Sequence, residues 1–268
     1  MIPTVLKPPY ALAKRCIRHL FPPTPLAAQS FADREFDVRG DLIDFTRLPG
    51  NVVDTLLRRR NNLTFCDEWA DTPTVLRHDH WFYLTSRFYL FANAVHRDAS
   101  GCGLLDDSVI QSIVPPQGAI LDYAGGTGNS ALITAKLGYR SYYRELSAVQ
   151  ADFLRFRAWK YHLDVQVVSW WLPLPTEFFD LVCFDSIGHV VDQRATLLEL
   201  VAGVKPGGSL FLSLDDFAVA GLPSSDQTRW SRFGRSEQRM HIANQVGDLS
   251  AFLETQGLSW VGPHWRKG

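Results

Sequence analysis

One stretch constrains the fold more than any other: residues 119–136, reading AILDYAGGTGNSALITAK. The apolar run Ala119-Ile120-Leu121 ends in an acid, Asp122. Gly125-Gly126-Thr127-Gly128 follows, and then a helix-forming segment holding Ala131, Leu132, Ile133 and Ala135. That order predicts strand, tight turn, helix. Glycine accepts positive φ and sets no Cβ in the way of a ligand lying against the turn. The unpaired N–H groups that open the helix face whatever sits there. Such a unit is a cradle for a nucleotide-type cofactor. Gly126-x-Gly128-x-x-Ala131 also fits the dinucleotide fingerprint, but Asp122 would repel a pyrophosphate placed beside it. A ligand with a cationic amine and a sulfonium would be attracted by the same carboxylate.

From Pro116 onward short apolar strands alternate with helical segments, which is the mark of a parallel sheet with crossovers. Before that, residues 40–110 have helical patterning: Val52, Val53, Leu56 and Leu57 have helical spacing, and His80 to Val95 carries a run of aromatic and aliphatic residues. The expected architecture is therefore α/β, a doubly wound and mostly parallel sheet, with residues 1–110 as an N-terminal helical extension. Residues 111–268 form the cofactor-binding Rossmann-like domain, and the boundary falls near Ser108 to Gln117. At 268 residues the chain is long enough for this arrangement. Its net charge of −1 gives no electrostatic case for a nucleic-acid partner. Cys16, Cys66, Cys102 and Cys183 show no metal-type spacing and read as the reduced thiols of a cytoplasmic protein. No apolar run is long enough to span a bilayer, and the Pro-rich N-terminus lacks the core of a signal peptide. Within it, Tyr10 to Phe21 is a basic amphipathic piece. A helix docked on its own domain or on a partner subunit of a homo-oligomer is preferred there to a membrane-surface helix.

Five segments, in order and suitably spaced, resemble the class I S-adenosylmethionine (SAM) dependent methyltransferases. The first is Asp122-Tyr123-Ala124-Gly125-Gly126-Thr127-Gly128, with Ala124 where the first glycine is usual. The second is Glu145, the acid closing the strand Tyr139 to Tyr143, with Leu146-Ser147 opening the next helix. The third is Phe178 to Val190, reading FFDLVCFDSIGHV. The fourth is Lys205-Pro206-Gly207-Gly208 before LFLSL. The last is Asp248 to Trp260. The match covers roughly Gln111 to Val261. The resemblance implies that Asp122 and the Gly125–Gly128 turn hold the methionine moiety and that Glu145 holds the ribose. It also implies that Asp185 and Ser186 line the site and that the N-terminal helices act as a lid. Two departures stand out. The acid that usually contacts adenine after the third strand (Val165 to Ser169) is replaced by Ser169-Trp170-Trp171. Ser169 or a backbone carbonyl is then the expected substitute, with a Trp170 face for stacking. The chain also ends soon after Val261, which leaves little sequence for the family's final antiparallel strand.

Methyl transfer needs a nucleophile aligned behind the methyl group, and a base only where that nucleophile carries a proton. His189, just past the fourth strand, is the base candidate, weighed against a structural histidine bonded to the backbone. Tyr123 is the candidate for an aromatic face beside the sulfonium. For Tyr142 and Tyr143 strand packing is preferred. Asn129 either caps the helix after the turn or meets the ligand's carboxylate. His78 and His80 do not share a helical face and have no partner set, so no metal is expected. Trp230, Arg232, Phe233, Arg235 and Arg239 are read as a solvated loop, with a substrate-shaping role as the alternative. The function expected is SAM-dependent methylation of a small molecule. The alternative is attack on the aminocarboxypropyl chain of the same cofactor, as transfer or as closure to azetidine-2-carboxylate, with methylthioadenosine released. A nicotinamide oxidoreductase and a non-catalytic SAM-binding protein rank below these.

Overall fold

A computed structural model of the chain describes residues 36–58, 81–86, 89–100, 107–212, 245–261 and 264–268. Residues 1–37 and 38–268 make two compact units, and all that follows concerns the second. The Tyr10–Phe21 piece, Cys16, Cys66, Cys102, His78, His80 and the Trp230–Arg239 segment lie outside the described residues.

Among the described residues five helices precede the sheet: α1 (Val38–Thr46), α2 (Gly50–Arg58), α3 (Trp81–Thr85), α4 (Tyr89–Ser100) and α5 (Asp107–Ile113). The long apolar run expected over 80–95 is split into α3 and α4. Ser86 stands at the break, where its Oγ accepts from the Tyr89 N–H at 3.1 Å, as a cap does. The sheet domain then runs β1 (Ala119–Tyr123), α6 (Asn129–Lys136), β2 (Arg140–Arg144), α7 (Ala148–Lys160), β3 (Val165–Val167), β4 (Phe179–Phe184), a 3₁₀ turn (Ile187–His189), α8 (Gln193–Gly203) and β5 (Val204–Leu212). It closes with α9 (Leu249–Thr255), β6 (Leu258–Trp260) and β7 (Trp265–Lys267).

The 7-stranded sheet has the order β3-β2-β1-β4-β5-β7-β6. Strands β1 to β5 pair in parallel, and β7 is antiparallel to both β5 and β6. This is the doubly wound α/β fold, with the strand order reversing between β1 and β4, where ligands of such sheets bind. The scarcity of sequence after Val261 does not remove the last strand. Three residues suffice, because β6 and β7 form a tight hairpin with Trp260 opposite Trp265, their ring centroids 5.2 Å apart.

Alternation along the central strands assigns their side chains to two faces. Ala119, Leu121 and Tyr123 of β1 join Val182 and Phe184 of β4 in the core beneath α8 and α9, with Leu197, Leu200, Phe252 and Leu253. Ile120, Leu181 and Cys183 face the other way and pack on Ile110 of α5. Asp122 therefore points to the face opposite Tyr123. At the strand starts, Asp180 joins three strands: its Oδ2 accepts from the Ala119 N–H at 2.7 Å and from Lys205 Nζ at 3.0 Å.

The helices before the sheet share a core with it. Val38, Leu42, Val53, Leu90, Phe91 and Ala94 pack with Phe153 of α7. A buried ion pair reinforces this. Arg157 Nε of α7 donates to Asp41 Oδ2 of α1 at 2.7 Å, and both side chains are inaccessible to solvent. Asp41 Oδ1 accepts from Lys160 Nζ and from the Tyr161 hydroxyl, each at 2.8 Å. Leaving a buried charge without its partner costs far more than the pair contributes relative to an apolar replacement. Asp41→Ala is expected to lower unfolding free energy by about 3–5 kcal/mol, and the double replacement Asp41→Leu with Arg157→Met to recover much of that loss. Urea denaturation of the three chains measures both.

Candidate cofactor site

The turn between β1 and α6 is held on several sides. The Ala124 N–H donates to Arg144 O at 2.7 Å, and the Gly128 N–H to Gly125 O at 3.0 Å. The Tyr143 hydroxyl donates to Gly126 O at 2.6 Å. Arg157 Nη1 donates to Thr127 O at 2.8 Å and to Asn129 Oδ1 at 2.6 Å. Asn129 is thus neither a cap nor a side chain with its oxygen open to a ligand; Gly128 stands at the N-cap position. Tyr143, read from sequence as packing, is an anchor of the turn.

The turn runs through left-handed backbone. Gly126 and Gly128 have φ of 56° and 77°, and Ala124 has φ of 53°, where an L residue is strained by about 1–2 kcal/mol. A Cβ on Gly125 would strike the Asp122 carboxylate, and one on Gly128 would strike the Leu154 side chain. Backbone and acid are therefore packed as closely as glycine permits.

Two carboxylates flank this turn with little access to water. Asp122 is 4% exposed and Glu145 7%. Asp122 Oδ2 accepts from the Ala131 N–H in the first turn of α6 at 3.3 Å. Glu145 Oε2 accepts from the Gly126 N–H at 3.0 Å and its Oε1 from the Ser147 N–H at 3.1 Å. Burial pushes the Glu145 carboxyl above the usual glutamate range. The N–H groups of Ser147, Gly126 and Leu146 pull it back, and the charge of Asp122 pushes it further up. Leu146 itself is buried behind this acid.

Tyr123 does not reach this face. Its ring, 2% exposed, lies on the α8 side, 5.2 Å from Phe184 and 5.3 Å from Trp170. Burial drives its phenol far above the ordinary range, with the Arg144 charge opposing. Strand alternation is the cause: neighbours such as Asp122 and Tyr123 cannot share a face. The aromatic partner expected beside a sulfonium is instead a core residue. Trp170 is likewise committed to packing, with the Arg144 guanidinium 5.3 Å from its ring. Its carbonyl, with that of Leu172, accepts from Arg144 Nη2 at 2.6 and 2.8 Å. Ser169 is exposed, and its Oγ accepts from the Trp171 N–H at 3.3 Å.

At the end of β4, Asp185, Ser186 and His189 are half-buried. His189 Nδ1 lies 3.4 Å from the hydroxyl of Tyr83 on α3. Above the turn, Asn93 Nδ2 of α4 donates to Gln150 Oε1 of α7 at 3.1 Å. The helices before the sheet thus meet the site at two points, through Tyr83 and Asn93. Neither residue stands out in the sequence, because each contact joins residues far apart in the chain. Gln150 carries a faint signal. Ser147-Ala148-Val149-Gln150 has the form of a capping box, in which the glutamine would return to the Ser147 N–H. Glu145 takes that N–H instead, and Gln150 is released toward Asn93.

The residues present suit a ligand with hydroxyl donors and a cationic amine at one end. The two acids supply acceptors, the turn leaves no room for further side chains, and Thr127 Oγ1 and Gln150 Nε2 are buried without a hydrogen-bond partner. Among the described residues no cluster of metal-ligating side chains occurs, and no helix is long and apolar enough to cross a membrane.

Residues 121–212 match a family model described as "Methyltransferase domain". A search of curated proteins gave no match. Similar solved structures include the YcgJ protein from Bacillus subtilis, 15% identical with a TM-score of 0.44, covering 57% of this chain and 67% of that one. A SAM-dependent methyltransferase from Methanosarcina mazei is 20% identical with a TM-score of 0.36, covering 39% and 55%. Phosphoethanolamine N-methyltransferase 2 from Haemonchus contortus, in complex with S-adenosyl-L-methionine, is 17% identical with a TM-score of 0.42, covering 56% and 36%. The chain thus spans two thirds or less of the length of these structures.

Protonation of Glu145 would remove an acceptor. Because its carboxyl titrates above the usual glutamate range, affinity for S-adenosylhomocysteine should begin to fall, on acidification, at a pH above that range. In Glu145→Gln affinity should be weak throughout and its pH dependence in this interval should flatten. Calorimetric titration across pH checks both.

Proposed function

We propose that the chain is a class I SAM-dependent methyltransferase, a reading supported by the match of residues 121–212 to a methyltransferase-domain model, and that it methylates a small-molecule acceptor whose departing proton passes to His189. The cofactor supplies an electrophilic methyl group on a sulfonium; the remaining work belongs to the chain. Asp122 is the acceptor for the cofactor's amine and Glu145 for its ribose hydroxyls, while the Gly125–Gly128 turn lets the ligand approach the backbone. Ser169 remains the side chain nearest in sequence to the adenine role, and Asp185 and Ser186 line the site beside β4.

The observation that carries this reading is the contact of α3 and α4 with the sheet's carboxyl edge, through Tyr83 at His189 and Asn93 at the glycine turn. Helices placed there exclude water and limit the acceptor to a size that fits beneath them. The net charge of −1 agrees with a small acceptor better than with a nucleic acid. His189, half-buried just past β4, stands at the carboxyl edge of the sheet, where ligands of such sheets bind.

Incubation with SAM and a small-metabolite extract, followed by mass spectrometry, tests the reading. S-adenosylhomocysteine and a methylated product should form together and only with extract. Methylthioadenosine formed from SAM alone would overturn it. His189→Asn should lower kcat by about 10²–10⁴-fold while leaving the affinity for S-adenosylhomocysteine within about twofold.

A further inference from the structure

We infer that Asn93, on the helix before the sheet, is a cofactor-binding residue that holds the carboxylate of the methionine end, and that Gln150 positions it. The inference rests on SAM being the cofactor and adds residues that no segment of the family resemblance contains.

Three observations converge. Gly126 has no side chain, and the space its Cβ would fill is bounded by Asn93 Nδ2 at 3.0 Å, Asn93 Cγ at 3.4 Å and Gln150 Oε1 at 3.5 Å. A ligand lying against Gly126 therefore meets the Asn93 amide. Next, Gln150 is completely buried, and its Oε1 accepts from Asn93 Nδ2 at 3.1 Å. This bond turns the nitrogen of Asn93, with its second N–H, toward the turn. Finally, Gln150 Nε2 is itself a buried donor with no partner. Such a group is costly unless a ligand or water satisfies it.

The chemistry of the surroundings selects the ligand group. Asp122 and Glu145 are acceptors and repel an anion. Among the described residues the two nearby guanidinium groups have other engagements: Arg144 holds Glu199 and the carbonyls of Trp170 and Leu172, and Arg157 holds Asp41, Thr127 O and Asn129. Among the described residues, the amides of Asn93 and Gln150, with the Thr127 hydroxyl, are the side-chain donors that the turn offers a carboxylate. The acids then serve the amine and the ribose, and the amides serve the anionic end.

The test compares two ligands that differ in this end. S-adenosylhomocysteine carries the amino-acid group; methylthioadenosine does not. Calorimetric titration of the full chain with each should show Asn93→Ala weakening S-adenosylhomocysteine by about tenfold, the value of one hydrogen bond to a charged group. Methylthioadenosine should stay within about twofold. Asn93→Asp, which sets a carboxylate against a carboxylate, should weaken S-adenosylhomocysteine more than Asn93→Ala and again spare methylthioadenosine. Gln150→Leu should reproduce the selective loss in milder form. Equal loss for both ligands, or loss for neither, overturns the assignment, as does tighter S-adenosylhomocysteine binding by Asn93→Asp. Failure of the unaltered chain to bind either ligand removes the cofactor reading itself and the inference with it. Thermal midpoints of the ligand-free variants show whether a general loss of affinity comes from unfolding.

Discussion

The guanidinium of Arg157 is the point through which the helices before the sheet and the cofactor turn depend on one another. Its Nε meets Asp41 of α1, and its Nη1 meets Thr127 O and Asn129 Oδ1 in the turn and first residue of α6. Neither end can move without exposing or orphaning a buried charge. The apolar contacts of Leu42, Val53 and Leu90 with Phe153 supply most of the attraction between these layers, but such contacts are non-directional. The ion pair adds direction: it sets the rotation of α7 relative to α1, and the rotation of α7 sets where Gln150 stands. Geometry at the site is thus inherited from a contact about two turns further along α7.

A second constraint is electrostatic. Two acids lie buried beside one turn, Asp122 and Glu145, and the charge of Asp122 opposes the ionisation of Glu145. The fold offsets this with backbone N–H groups: Ala131 for Asp122, and Gly126 with Ser147 for Glu145. These donors hold the two acids in place, so a cation arriving at the turn finds acceptor oxygens already oriented. Reorganisation that a solvated pair would require on binding has been carried out during folding.

Much of this is legible in the sequence. The strand–turn–helix unit, the acid ending β2 and the alternation of strands with helices are local patterns, and local patterns report on backbone geometry directly. Tyr123 could have been placed from the same information, because Asp122 faces the turn and its neighbour must face away. The small β7 was harder. Its three residues have no periodicity of their own and are strands only because β5 and β6 flank them. Trp170 was misleading for a related reason: an exposed-looking aromatic after β3 is drawn inward by Arg144, a residue of another strand. Tyr83, Asn93 and Gln150 were the least visible, since their meaning lies wholly in who stands opposite. Asn129 illustrates the same point in reverse: its position suggests a cap, and a distant arginine takes its oxygen.

Among the described residues the sheet ends on both sides in strands of three residues, β3 at one edge and β6 at the other. An edge strand displays a row of unsatisfied amides that can recruit another chain, and the length of that row sets how good a template it is. Here the row is short on either side, and at one side the outermost hairpin reverses direction, so a partner strand would find few bonds to form. Extending this sheet from copy to copy is thereby disfavoured at the edges described.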